Sequence, residues 1–202
     1  MFSLILDTST ERGIVALADD GRVLKEVPLP FGLQNSKYVL SYINQLFLEY
    51  SLKPSDLGRI IMGTGPGSYT GIRVGASIAY SMAFALKIPL VGVSALRAFV
   101  PDASDSFVAL IDAKIAGAYV SFNGQAPYVK SIDELKPLLE KHRIFVAPTI
   151  ESLKKKLELS DVAWYERGPS ALKMLELSML EDAQFSKEAI VKLNYLNEWR
   201  PS

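Results

Sequence analysis

Ile60-Ile61-Met62-Gly63-Thr64-Gly65-Pro66-Gly67-Ser68-Tyr69-Thr70-Gly71-Ile72-Arg73 decides how this chain is read. A short apolar run enters a loop with four glycines in nine positions, and the most apolar helical segment of the chain follows. The pattern predicts a strand, a tight turn and a buried helix. Glycine at 63, 65, 67 and 71 permits positive φ or close approach of another backbone or a ligand, and Pro66 stiffens the turn. Ser68 or Thr70 can cap the helix, whose free N–H groups favour an anion. Neither common nucleotide pattern fits: no Lys follows the last glycine of the loop, and Ser68 and Thr70 fall where a third glycine of Gly-x-Gly-x-x-Gly would be required. A purely structural turn stays open beside an anion-binding one.

Working outward, the 202 residues hold 22 basic and 22 acidic side chains and 49% hydrophobic residues, enough for a packed core. Residues 1 to 100 carry 9 basic and 7 acidic groups, leaving 13 and 15, so neither half has the basic excess of a stand-alone nucleic-acid binder. The run Lys154-Lys155-Lys156 reads as the solvated face of a helix. The absence of cysteine excludes disulfides, thiolate metal sites and cysteine nucleophiles. Met1 to Asp7 reads as a strand rather than a signal peptide, and Val74 to Leu86 is too short to span a bilayer, so a cytoplasmic address and no membrane contact are expected.

Phe2–Leu6 is an apolar strand ending in the turn Asp7-Thr8-Ser9-Thr10, and strands at 14–18 and 23–27 flank the hairpin signal Asp19-Asp20-Gly21. Asn35 or Ser36 caps a helix to about Tyr50, with Val39, Leu40, Ile43, Leu46, Phe47 and Tyr50 on its core face and Tyr38, Tyr42, Gln45 and Glu49 on another. After the glycine loop, Gly71, Gly75, Ala79 and Ala83 form a row of small residues four apart, beside the larger row Ile78, Met82 and Leu86. Such a row admits a second helix at close range, and burial within the same lobe is the other reading. Leu90–Val93 is a strand, and Ser94 caps a short helix to Val100.

Beyond a boundary at Pro101-Asp102-Ala103-Ser104-Asp105 the plan repeats. An apolar strand at 107–111 ends in Asp112-Ala113-Lys114, a second strand runs over 118–122 and a third over 128–130. Ser131 with Glu134 forms a capping box for a helix to Lys141, followed by strands at 143–147 and 162–165 and helices at 150–159 and 170–180. Two facing lobes, residues 1–101 and a smaller 102–202, each with an aspartate after its first strand, are the layout of an actin-like (ribonuclease H-like) α/β fold. Asp7 and Asp112 could hold magnesium through water in such a cleft, though carboxylates at strand ends also cap turns, the preferred reading.

The chain resembles a known family at Leu6-Asp7-Thr8-Ser9-Thr10, Gly63 to Gly75, Val91-Gly92-Val93-Ser94 and Ile111-Asp112-Ala113-Lys114. These look like the TsaB (YeaZ) subunit of the bacterial machinery that makes N6-threonylcarbamoyladenosine in tRNA. The resemblance covers residues 1 to about 122 closely and the rest loosely. It departs at Asn35-Ser36, where relatives carry His-Ser, at Ser41, where they carry proline, and at Leu193-Asn194-Tyr195-Leu196-Asn197, which lacks their final arginine.

The resemblance implies a non-catalytic scaffold, with a reduced second lobe, that binds the TsaD transferase, is joined by TsaE, dimerises when alone and meets tRNA only indirectly. The single histidine, His142, cannot supply the histidine pair of the transferase metal site, nor a serine triad, and is expected on the surface. No catalytic or metal-binding residue is expected, and no intrinsic cofactor; ATP or ADP with magnesium is expected at the complex interface. Asp7, Thr8, Gly65, Gly67, Ser68 and Thr70 are the candidate cofactor contacts. Tyr38, Tyr42, Gly71, Gly75, Ile78, Ala79, Met82 and Ala83 are the candidate partner surface. The alternative is an independent actin-like ATPase or small-molecule kinase, and a purely homodimerising module is a third reading.

Overall fold

The computed structural model describes the chain except Leu33, residues 103–105, Glu181, Ala189 and residues 195–202, together with the side chain of Asn35. Tyr195, Leu196 and Asn197, which entered the family comparison, lie outside the described residues, as does part of the expected lobe boundary.

The first sheet is built from β1 (Phe2–Asp7), β2 (Ile14–Asp19), β3 (Arg22–Pro28), β4 (Leu57–Gly63), β5 (Leu90–Val93) and β11 (Gln184–Ser186), in the order β11-β5-β4-β1-β2-β3. β4 runs parallel to both β1 and β5, whereas β1, β2 and β3 are antiparallel neighbours. A strand inside the sheet is covered on both faces, and side chains alternate between them. Leu4 and Leu6 accordingly enter one core with Ile60 and Met62, under the helices α1 (Val39–Glu49) and α2 (Tyr69–Leu86). Ile5 and Ile61 enter the opposite core, under α5 (Ala171–Leu177).

The second sheet joins β6 (Val108–Asp112), β7 (Ala118–Phe122), β8 (Tyr128–Lys130), β9 (Ile144–Ala147) and β10 (Ala163–Glu166) in the order β10-β9-β6-β7-β8. Its outer core is closed by α3 (Ile132–Leu139) and α4 (Glu151–Leu157). The capping box of α3 forms as expected: Glu134 N–H donates to Ser131 Oγ, and Ser131 N–H donates to Glu134 Oε2. The inner face of this sheet packs against Leu96 and Phe99 from the first lobe, forming a shared core with Phe107, Ile111, Tyr119 and Val146.

Assignment of all of 102–202 to the second lobe is corrected. Ser170 N–H donates to Ala98 O, α5 lies on the first sheet, and β11 pairs antiparallel with β5. The chain therefore leaves the first lobe near Pro101 and returns near Ser170. Nothing in the local sequence announces β11, since three residues carry too little periodicity to read as a strand. The start of the first helix also differs. Asn35 and Ser36 lie inside a 3-10 turn, Asn35–Tyr38, that follows Gln34, and neither end of that turn carries a side-chain cap. Ser94, likewise, precedes a short 3-10 turn without capping it through its side chain.

The small residues of α2 face the chain's own sheet. A Cβ on Gly71 would collide with the Thr8 carbonyl oxygen, and one on Gly75 with Thr8 Oγ1. Ala79 is 0% exposed, and Ala83 is buried in the same core. The row thus lets the helix press against the end of β1, and the expectation that Gly71, Gly75, Ala79 and Ala83 meet a helix of another chain is corrected. The larger row is covered from within too: Ile78, Met82 and Leu86 are partly buried against the core that α1 shares. A charge at Ala79 has no route to water, so Ala79→Glu should destabilise the isolated chain by at least about 3 kcal/mol. Urea unfolding of the purified variant measures this, and a native-like midpoint would show that the row is not sealed.

Candidate functional site

The two aspartate turns meet across the space between the lobes, and they manage their charge differently. Asp7 is 0% exposed, and its Oδ1 accepts the Ser9 N–H at 3.0 Å and the Ser9 hydroxyl at 2.8 Å. Its Oδ2 has no hydrogen-bond partner among the described residues and abuts Gly63, where a Cβ would collide with it. Burial pushes the Asp7 carboxyl up to about 6, against the Ser9 hydrogen bonds that hold it down. Asp112 would also be raised by burial, yet the Lys156 ammonium (2.6 Å), the Ser152 hydroxyl (2.5 Å) and the Lys114 N–H (2.7 Å) bring it below its ordinary value. Both carboxylates cap their turns.

The glycine loop is tied to the first of these turns. Ser68 N–H donates to Ser9 O at 2.6 Å, Thr8 Oγ1 donates to Gly71 O at 2.7 Å, and Gly71 N–H donates to Ser68 Oγ at 3.3 Å, which makes Ser68 the helix cap. Gly67, at φ +153°, leaves no room for a Cβ against Ser9 O.

A cavity of about 300 Å³ opens between the turns, lined from the first lobe by Ser9, Thr10, Glu11, Gly67 and Ser68 and from the second by Asp112, Ala113, Lys114, Tyr119 and Thr149, among others. Of the six residues expected to contact a cofactor, only Gly67 and Ser68 reach it. Asp7, Thr8 and Gly65 are buried and do not line it, and Thr70 lies on the outer face of α2 beside Tyr69 and Arg73. The sequence reading missed Glu11, Lys114, Tyr119 and Thr149. Only Lys114, two residues past an aspartate turn, carried any local signal.

A magnesium nucleotide does not suit this cleft. Asp7 is sealed, and Asp112 is neutralised by Lys156. Several N–H groups at the turns are engaged within the chain: Ser9 and Lys114 on the aspartates, Arg12 on Thr10, Ser68 on Ser9 and Ala113 on Gly117. Arg12 then walls the cleft off, its Nε donating to Pro148 O at 2.6 Å and its Nη2 to Glu166 at 2.9 Å, with Phe31 stacked on the guanidinium. Lys156, read from sequence as a solvated residue, proves to be the partner of Asp112, while Lys154 and Lys155 are exposed. His142 is half-buried against the Phe122 ring, which with the neighbouring Lys141 lowers its pKa.

A second surface lies on the outside of α1 and α2. Tyr69 is 56% exposed and Phe84 79%, with Leu48 also exposed; Leu40, expected on the core face of α1, is exposed as well and is corrected to this surface. One groove of about 320 Å³ runs between the helices over Leu40, Phe47, Met82 and Leu86, and another of about 310 Å³ follows Tyr69, Val74 and Ile78. Of the expected partner residues, Ile78 and Met82 border these grooves and Tyr38 is exposed, but Tyr42 packs largely into the core. Among the described residues, no helix is long and apolar enough to cross a membrane.

Two lobes of this topology, joined by two crossings and facing each other at the ends of β1 and β6, define an actin-like α/β protein. Solved structures of the same shape include an uncharacterized Pseudomonas aeruginosa protein with similarity to peptidase YEAZ (TM-score 0.76, 22% identity, 97% of this chain and 99% of that one). YeaZ from Pseudomonas aeruginosa is another, with TM-score 0.69 and 23% identity over 88% and 91% of the two chains. Among curated proteins, the chain is 28% identical over 159 residues to the tRNA threonylcarbamoyladenosine biosynthesis protein TsaB of Bacillus subtilis, covering 77% of this chain and 67% of the relative. It is 35% identical over 123 residues to that of Haemophilus influenzae, covering 58% and 52%. These alignments thus span between about half and two thirds of the relatives' length. Residues 28–177 match the family TsaD: tRNA N6-adenosine threonylcarbamoyltransferase. The chain belongs to that family and, within it, to the TsaB (YeaZ) group.

Two outcomes test the site. Gly67→Ala should cost about 1 to 3 kcal/mol in thermal or urea unfolding, because the loop must retreat from Ser9. Asp7 binds its proton near pH 6 when folded and near 3.8 when unfolded, so its contribution to stability is present below about pH 4 and is lost as pH rises through about 6. Relative to Asp7→Asn, which does not titrate, the wild-type chain should gain on the order of 3 kcal/mol between about pH 7 and about pH 4. Unfolding of both proteins at matched pH reads the difference directly, and parallel stability curves would contradict it.

Proposed function

We propose that this chain is a non-catalytic subunit of the machinery that makes N6-threonylcarbamoyladenosine in tRNA, and that it supports the TsaD transferase by docking through the outer face of α1 and α2. The observation that carries the reading is the pair of apolar grooves on that face, bordered by Leu40, Tyr69, Ile78 and Met82, with Phe84 also exposed on α2. Exposed apolar surface around large aromatic side chains is what a protein partner covers. The names of the curated relatives and the family match support the pathway. In this reading TsaE joins the assembly, a second copy covers the same face when the subunit is alone, and tRNA is reached through the transferase in the cytoplasm. ATP or ADP with magnesium belongs to the surface shared with the transferase rather than to this chain's own cleft, where Asp7 is buried and Asp112 is paired with Lys156. For the same reason nothing favours the alternative of an independent ATPase or kinase.

The test is co-purification of tagged wild-type and variant chains with the TsaD of the same cell. Phe84→Glu combined with Leu40→Glu should change monomer stability by no more than about 1 kcal/mol, since both positions face solvent, yet reduce recovery of the transferase at least tenfold. Normal recovery by a folded double variant would move the interface elsewhere. Failure of the wild-type chain to recover the transferase at all would remove the reading.

A further inference from the structure

Tyr119 stands out in the cavity between the lobes. Its ring is packed in the shared core with Phe107, Ile111 and Val146, it is only 7% exposed, and its hydroxyl has no hydrogen-bond partner among the described residues. The hydroxyl is the polar end of an otherwise buried ring, placed where a molecule entering the cavity can pair with it. The rest of the lining says what kind of molecule that would be. Hydroxyl side chains come from Ser9, Thr10, Ser68 and Thr149. Glu11 from the first lobe and Lys114 from the second take part in no ion pair with any described residue, whereas the remaining charged group of the lining, Asp112, is paired with Lys156. Five nearby N–H groups are engaged on Asp7, Ser9, Thr10, Asp112 and Gly117, which leaves fewer donors for a polyphosphate. A volume of about 300 Å³ lies at the lower end of small-molecule sites.

We infer that this cavity binds a small zwitterion of the α-amino-acid class, its ammonium toward Glu11, its carboxylate toward Lys114, and a polar atom within reach of the Tyr119 hydroxyl. Both lobes contribute, so the site exists only in the assembled two-lobe chain. A single carboxylate or amine satisfies one charged wall and leaves the other unpaired, so the cavity discriminates against both. The inference is independent of the partner reading, since none of these residues lies on the outer face of α1 and α2.

The experiment is calorimetric titration of the full-length protein with L-serine and glycine as zwitterionic probes, and with acetate, methylamine, inorganic phosphate and magnesium ATP as controls. Saturable one-site binding of L-serine is expected, with acetate and methylamine at least about tenfold weaker. Tyr119→Phe, which removes one oxygen from a packed ring and should melt with the wild type, should weaken L-serine about tenfold, the worth of one hydrogen bond. Glu11→Gln and Lys114→Gln, both on turns at the surface, should each weaken it by at least as much. The inference is overturned if neither zwitterion binds the wild-type chain, if phosphate or magnesium ATP binds there more tightly, or if folded Tyr119→Phe and Lys114→Gln proteins bind L-serine as the wild type does.

Discussion

Backbone pressed against backbone is the contact on which the first lobe depends. Where α2 begins, Gly67 and Gly71 meet the carbonyl oxygens of Ser9 and Thr8 with no space for a side chain between them. The Ser68 N–H and the Thr8 hydroxyl then fasten loop, helix and turn together. Hydrogen bonds of this kind are individually modest, but each replaces a buried polar group that would otherwise go unpaired. The approach also sets the height of α2 above the sheet. Gly75, Ala79 and Ala83 continue it along the helix, and α1 settles against the larger side chains on the flank.

That closeness also shapes the chemistry of the cleft. Pulling the loop onto the Asp7 turn shuts the carboxylate away from water and engages the Ser68 N–H on Ser9. The equivalent turn of the second lobe reaches a similar result by charge pairing, with Lys156 and Ser152 holding Asp112. One acid is kept without a counter-ion and titrates high, while the other is matched and titrates low. The carboxylates of both turns are thus engaged within the chain itself, one by burial and one by its lysine. What remains open in the cleft is hydroxyl-lined and of mixed charge, a different kind of surface from the apolar outer face of α1 and α2.

The two lobes are held together by more than the chain crossings. Leu96 and Phe99 are buried in the inner face of the second sheet, Arg12 spans to Pro148 and Glu166, and Arg97 donates to Gly124 O. A shared apolar core with polar struts at its rim resists hinge motion better than a polar interface does. The second lobe is small, but it is continuous with the first.

The amino-acid sequence by itself determined most of the elements and the family. Continuous apolar runs marked the covered strands, Asp19-Asp20-Gly21 marked a hairpin, Ser131 with Glu134 marked a helix start, and the glycine spacing marked the loop, because each of these is a local preference of backbone or solvent. Tertiary structure alone decided which way each surface faces. A row of small residues on α2 is equally suited to a sheet or to another helix, and only the position of Thr8 settles that Gly71 and Gly75 belong to the chain's own β1. Likewise, nothing near Gln184 foretells its pairing with β5, and nothing near Lys156 or Tyr119 foretells Asp112 or an interlobe cavity. Those contacts join residues far apart in the chain, and their partners are chosen by packing, which no local stretch of sequence records.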